Sequence, residues 1–276
     1  MLIRTPEDHH DDHGGLHRDL RATRAAIDRR GLLRLAARFG AGVGALQLVG
    51  CASNPTSPSD SSGGESAGGS CSARIPEETQ GPFPADGSNG PSVLALAGVV
   101  RGDIRSSLAG LSGTADGVPL TINLTIVSVS TCSPLAGRAV YIWHCDRAGG
   151  YSLYSAGVTN QNYLRGVQEA DAGGRVSFTS IFPGCYAGRW PHIHFEVYPS
   201  LSAATSVANR VATSQIALPK AACDAAYAVS GYESSITNLS RVSLASDMVF
   251  SDGSALELAT VSGSIAGFTS SLTVAI

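Results

Sequence analysis

The feature that most constrains this chain is a set of short runs rich in β-branched and aromatic residues, each closed off by Gly, Pro, Ser or Asp. Residues 93–100, 120–127, 139–144 and 175–179 are of this kind, and runs of that length between turn formers read as strands. Asp171-Ala172-Gly173-Gly174 reads as a turn joining the segment before it to the run at 175. Only residues 219–229 have a helical character. Short strands separated by turn signals predict an all-β fold, a β-sandwich of mixed or antiparallel strands with long loops.

That domain does not account for the N-terminal part of the sequence. Arg29-Arg30-Gly31-Leu32-Leu33 resembles a twin-arginine export signal, and the apolar stretch that follows, residues 39–49, is eleven residues long. A bilayer span needs about 20 residues, so the stretch reads as the apolar part of a signal peptide rather than an anchor helix. Leu48-Val49-Gly50-Cys51 looks like a bacterial lipobox. The expected division is a lipoprotein signal peptide over 1–50, a lipidated Cys51 with a flexible Ser/Gly-rich tether over 51–70, and one domain over 71–276. The domain would then be held by acyl chains on the outer side of the cytoplasmic membrane or in the cell envelope.

The leader carries a tract, Glu7 to His13, that looks like a metal site on composition alone. If the leader is cleaved, only His144, His192 and His194 of the seven histidines remain. A net charge of −3 with a pI near 6.1 offers no basic patch, which argues against nucleic acid as a partner. Besides Cys51 there are Cys71, Cys132, Cys145, Cys185 and Cys223. In an oxidising compartment they predict one or two disulfides of open connectivity with one cysteine left over, and no CxxC spacing supports a metal-thiolate site.

Within the domain, Ile193-His194-Phe195-Glu196-Val197-Tyr198 alternates as a strand does. Side chains at i and i+2 share a face, so His192 and His194 project together and both imidazoles can reach one metal ion. Pro183-Gly184 marks a turn that brings Tyr186 in beside them, and Arg189 is a permanent cation suited to planar anions. A phenol in such a place becomes a hard anionic ligand if a strongly charged cation such as Fe(III) lowers its pKa from about 10. Upstream, the strand ending at Trp143 runs into a Gly149-Gly150 turn that presents Tyr151. Two tyrosines from turns and two histidines from a strand would make a four-ligand site.

These segments resemble the intradiol ring-cleavage dioxygenases, the protocatechuate and catechol dioxygenases. The family's W-x7-Y segment is matched by Trp143 to Tyr151, and its PGxY…R-x-x-H-x-H segment by Pro183, Gly184, Tyr186, Arg189, His192 and His194. The resemblance covers about residues 71–250. It implies non-haem Fe(III) held by Tyr151, Tyr186, His192 and His194, with Arg189 as catalytic arginine and Gln215 near the site. It also implies a catechol opened by O2, between its hydroxyl-bearing carbons, to a cis,cis-muconate-type dicarboxylate. Tyr186 would be displaced by substrate and Tyr151 would stay bound. Glu77 to Phe83 looks like the family's T-x-G-P-Y segment, with Phe83 in place of the tyrosine. Two further departures are Trp190 between Arg189 and Pro191, and no counterpart of the catechol-type helical dimerisation domain. The chain therefore looks like a core-only, exported branch whose oligomeric state is open.

Two other readings compete. Glu196 shares a face with the two histidines, which allows a cupin-like two-His, one-carboxylate site, although the three residues span about 13 Å of strand. Alternatively, a lipid-anchored sandwich could be a non-catalytic binding module, because fold does not fix function. Trp143 reads as core packing, and His144 reads as a supporting or surface residue rather than a ligand.

Overall fold

A computed structural model describes Cys71 and residues 73–276. The export signal, the lipidated Cys51, the tether and the histidine tract lie outside the described residues. Two four-stranded sheets face each other. One has the order β4-β1-β8-β7, built from β1 (Pro119–Val127), β4 (Arg175–Ile181), β7 (Thr260–Ser264) and β8 (Gly267–Ala275). The other has the order β3-β2-β5-β6, built from β2 (Ala139–Trp143), β3 (Arg165–Glu169), β5 (His192–Tyr198) and β6 (Ala212–Ala217). Two short helices follow β6, α1 (Lys220–Tyr227) and α2 (Glu233–Leu239). Among the described residues no helix is long and apolar enough to cross a membrane.

The expected all-β sandwich is thus present, and alternation builds its core. Leu120, Ile122, Leu124 and Ile126 of β1 point inward with Val176 and Phe178 of β4. They meet Val140, Ile142, Ile193, Phe195 and Val197 from the other sheet, joined by Tyr227 and Leu239 of the helices. Each such large side chain, once buried, contributes roughly 1.5–3 kcal/mol. β8 lies parallel to β1 while β4 and β7 run antiparallel to their neighbours, so this sheet is mixed.

The outer faces of the two sheets differ. On β1 and β4, Thr121, Asn123, Arg175 and Ser177 face outward and remain partly or fully exposed. By contrast β2 and β5 are buried at every position. A layer of loops supplies the cover: Ala85, Val93, Leu94, Val99, Tyr151 and Ala204 pack on Ala139, Tyr141, Trp143 and Tyr198. The histidine face of β5 therefore lies beneath a lid of irregular chain.

That cover accounts for one departure from expectation. Residues 93–100 do not form a strand. Leu96 N–H bonds Val93 O and Val99 N–H bonds Leu96 O, with Gly98 at φ +86°, so the run folds as successive turns. Its apolar residues plug the outer face of a sheet instead of extending one, and a short apolar run alone does not distinguish the two. The 171–174 turn does form, with Asp171 Oδ1 accepting from Gly173 N and Arg175 N at 2.8 and 2.9 Å. It carries the chain from β3 in one sheet to β4 in the other.

Cys71 and Cys132 form one disulfide, and Cys145, Cys185 and Cys223 are reduced and buried. Three cysteines are left over rather than the single one expected. Each remaining thiol is buried against backbone carbonyls, Cys145 on Gly184 O for example.

Candidate active site

Two turns and one strand build the site. The 182–186 turn is held by the helices: Tyr232 Oη donates to Phe182 O at 2.7 Å, Tyr227 Oη to Pro183 O at 3.1 Å, and Asn238 Nδ2 to Cys185 O at 2.8 Å. Ser235 Oγ accepts from Cys185 N at 2.9 Å. The 146–151 turn is closed by Asp146, whose Oδ1 accepts from Ala148 N and Gly150 N, each at 2.9 Å. The turns lie directly on each other, and a Cβ on Gly184 would stand 2.6 Å from Arg147 O. Glycine at 184 is what lets Tyr151 and Tyr186 approach the same point.

That point is His192 Nε2. Tyr186 Oη lies 3.2 Å from it, Tyr151 Oη 3.4 Å and His194 Nε2 3.1 Å. His192 Nδ1 is 2.5 Å from Trp190 O, and because a carbonyl only accepts, Nδ1 carries the proton and Nε2 presents a bare lone pair in the neutral ring. Trp143, opposite His194 in the β2–β5 register, stacks on the His194 ring. Tyr151, His192 and His194 are buried, and Tyr186 is half-buried.

Electrostatics keep both imidazoles neutral. Burial, reinforced by the Arg189 charge, holds His192 well below its ordinary pKa. His194 is lowered by burial, then by His192 and Arg189. Burial, with Tyr186 beside it, pushes the Tyr151 phenol well above its usual value. A phenolate at 151 therefore requires a cation to replace the lost hydration.

The donor set fits a metal ion. Three polar groups crowd one nitrogen lone pair that can accept one good hydrogen bond, and His194 Nδ1 has no hydrogen-bond partner among the described residues. Among those residues no group of three or more His, Cys, Asp or Glu could hold a metal, so a metal reading depends on the two phenols. Two oxygen and two imidazole donors suit a hard, highly charged cation such as Fe(III).

Arg189 is buried, with Nε 3.0 Å from Asp247 Oδ2 and Nη2 2.7 Å from Gln215 Oε1. Gln215 pairs with His194 across β5–β6 and donates from Nε2 to Thr79 O at 2.8 Å. The early segment also reaches the site through Phe83, whose ring is 5.1 Å from that of Tyr151. All six residues singled out from the sequence, Tyr151, Tyr186, Arg189, His192, His194 and Gln215, thus gather in one region.

Other candidates fall away. His144 is buried rather than at the surface, with Nδ1 2.7 Å from Cys145 O and Nε2 2.7 Å from Ser180 Oγ. Glu196 accepts from Tyr198 Oη at 2.6 Å, and among the described residues no group of three or more His, Cys, Asp or Glu that could hold a metal includes it. A broad open groove of about 1080 Å³ over the other sheet, lined by residues such as Asn123, Arg175 and Ser271, is bordered by none of the six.

Two contributors escaped sequence reasoning. Arg165 is buried and donates to Ser152 Oγ, Ser152 O, Pro84 O and Tyr141 Oη at 3.0, 3.0, 2.9 and 3.3 Å. It thereby ties the Tyr151 turn to the Phe83 segment. Asp247, the partner of Arg189, lies 58 residues away in sequence, and nothing local marks either residue.

Comparison with known proteins bears on this geometry. Residues 89–212 match the family model described as Dioxygenase, a stretch that contains the four donors and Arg189. An intradiol ring-cleavage dioxygenase from Tetranychus urticae is similar in structure, with a TM-score of 0.58 and 23% identity over 74% of this chain and 94% of that one. A further dioxygenase crystal structure gives a TM-score of 0.58 at 24% identity, with the same two coverages. No curated protein matches the sequence.

Proposed function

We propose that this chain, whose segment 89–212 matches the dioxygenase family model and whose fold is that of the intradiol ring-cleavage enzymes, is a non-haem Fe(III)-dependent intradiol dioxygenase. It opens a catechol-type ring with O2 to a cis,cis-muconate-type dicarboxylate. The observation that carries this reading is the convergence of Tyr151, Tyr186 and His194 on His192 Nε2, within 3.4 Å. When bound by these four residues, ferric iron supplies Lewis acidity toward a chelating catecholate.

The chain's own residues divide the remaining work. The Nδ1–H bond from His192 to Trp190 O fixes the tautomer that leaves Nε2 as a donor to metal. The parallel Trp143 indole limits rotation of the His194 ring. Tyr186, the less buried phenol, is placed to leave the site and take up a substrate proton at Oη. Tyr151, buried under Phe83, stays in place. Arg189 offers a fixed positive charge to negative charge developing on the substrate.

The leader supports a further element, an exported lipoprotein anchored through Cys51. The Cys71–Cys132 disulfide is consistent with an oxidising compartment.

The test is direct. Purified protein is expected to hold iron, to be burgundy to red from tyrosinate-to-Fe(III) charge transfer, and to consume O2 with a subset of substituted catechols. A colourless, iron-free preparation that resists reconstitution would sink the reading. Product masses identify the preferred catechol.

A further inference from the structure

Asp247 lies in the loop between α2 and a single 3-10 turn at Phe250–Asp252, and its carboxylate is fully buried. Each oxygen takes two hydrogen bonds. Oδ1 accepts from Val249 N and Phe250 N at 2.8 and 3.1 Å, which fixes the carboxylate to its own loop. Oδ2 accepts from Arg189 Nε at 3.0 Å and from Trp190 N at 2.6 Å. Trp190 is also the residue whose carbonyl, on the far side of its Cα, receives His192 Nδ1–H, and the Trp190 indole is tied down by Nε1–H to Leu218 O at 2.8 Å.

One oxygen therefore reaches two components of the site. It holds the Arg189 guanidinium directly and the His192 ring through the backbone of one residue, Trp190. A salt bridge whose partners are 1% and 0% exposed is screened little by solvent, and a carboxylate with four donors has little freedom to reorient. We propose that Asp247 is a positioning residue, a clamp that sets both the Arg189 guanidinium and the His192 imidazole. The clamp rests on the geometry alone. Its effect on turnover rests on the iron dioxygenase reading.

Asp247→Asn tests it, since the amide keeps the shape but turns either a neutral oxygen or an N–H toward Arg189 and Trp190. In metal-free protein, nitrogen-resolved NMR of the wild type is expected to show a protected Arg189 Nε–H and His192 as a single Nδ1–H tautomer. In the variant the Arg189 signal should exchange rapidly and His192 should become a tautomer mixture. In iron-loaded protein, kcat should fall about 10- to 100-fold with KM nearly unchanged. The charge-transfer band should shift in Asp247→Asn and not in Arg189→Gln, because only the former loosens a ligand.

Asp247→Asn leaves a buried cation without its counter-charge, so the double variant Arg189→Gln/Asp247→Asn, which removes both charges, is measured beside it. If Asp247 acts on turnover through Arg189, the second substitution adds less than its separate fold-loss. His192 should still lose its single tautomer in the double variant. Unchanged His192 and Arg189 resonances, or kinetic losses that multiply independently, would overturn the clamp. If those resonances change but wild-type protein neither binds iron nor consumes O2, the clamp stands and the dioxygenase reading falls.

Discussion

The indole of Trp143 and the imidazole of His194 lie parallel, their centroids 4.9 Å apart and their planes 3° from coincidence. They are directly paired residues on adjacent antiparallel strands. Trp143 sits on a strand in which every residue is buried, so the site is braced by a ring that cannot move without disturbing the sheet. Trp143→Ala is expected to lower stability by about 3–5 kcal/mol and to release iron faster to a chelator. Trp143→Phe should retain a stacking ring and most of the iron. Urea unfolding and timed iron release measure the two effects.

The two tyrosines should respond differently to loss of the hydroxyl. Tyr186→Phe removes the phenol placed to take the substrate proton, and kcat should fall about 10²- to 10⁴-fold while some iron is retained. Tyr151→Phe removes the more deeply buried donor and should mainly lower iron content. Visible spectra should show the charge-transfer band shifted or bleached in each variant. Bands identical to wild type in both would show that these phenols are not ligands.

Arg165 joins the turn that carries Tyr151 to the segment that carries Phe83. Arg165→Met leaves the Ser152 carbonyl without that donor, at about 1–3 kcal/mol for a buried group left unsatisfied, while Pro84 O keeps its bond from Tyr141 Oη at 2.7 Å. The expected result is a lower urea midpoint together with weakened iron binding. A loss of stability with unaltered iron affinity would place Arg165 in the scaffold alone.

His144 gives the fold an acid sensitivity of definite sign. Burial lowers its pKa from 6.5 to about 4 in the folded protein. The unfolded chain therefore takes up the proton first, so the His144 contribution is fully present above about pH 6.5 and is lost as pH falls toward 4. The difference corresponds to about 3 kcal/mol at most. His144→Gln, which can keep a bond to Ser180, should flatten the pH dependence of the unfolding free energy between pH 6.5 and 4. An unchanged slope would rule out this contribution.

The Cys71–Cys132 bridge joins positions 61 residues apart, and loop-closure entropy assigns it about 4 kcal/mol. Cys132→Ser should lower the urea midpoint by that equivalent while leaving the spectrum and turnover of folded protein intact, since the bridge is remote in sequence from every ligand. Reduction of the wild type should reproduce the shift.

Local chemistry in the sequence already determined much of this protein. β-Branched and aromatic runs between turn formers placed β1, β2 and β4, and period-two alternation placed β5 and put His192 and His194 on one side, because a strand's face is decided residue by residue. Turn formers at Gly149-Gly150 and Pro183-Gly184 marked where the tyrosines would enter. The strands at 165–169, 212–217, 260–264 and 267–275 were not legible, since runs such as RGVQE and TVSGS carry little apolar pattern and are held by pairing with better strands. The apolar run at 93–100 misled because burial under a loop layer selects the same residues as burial in a sheet. Only the tertiary structure decided that the histidine face is roofed over, that Arg165 ties two loops, and that Asp247 meets Arg189. Those relations depend on long-range packing, which brings together residues that have no local reason to signal each other.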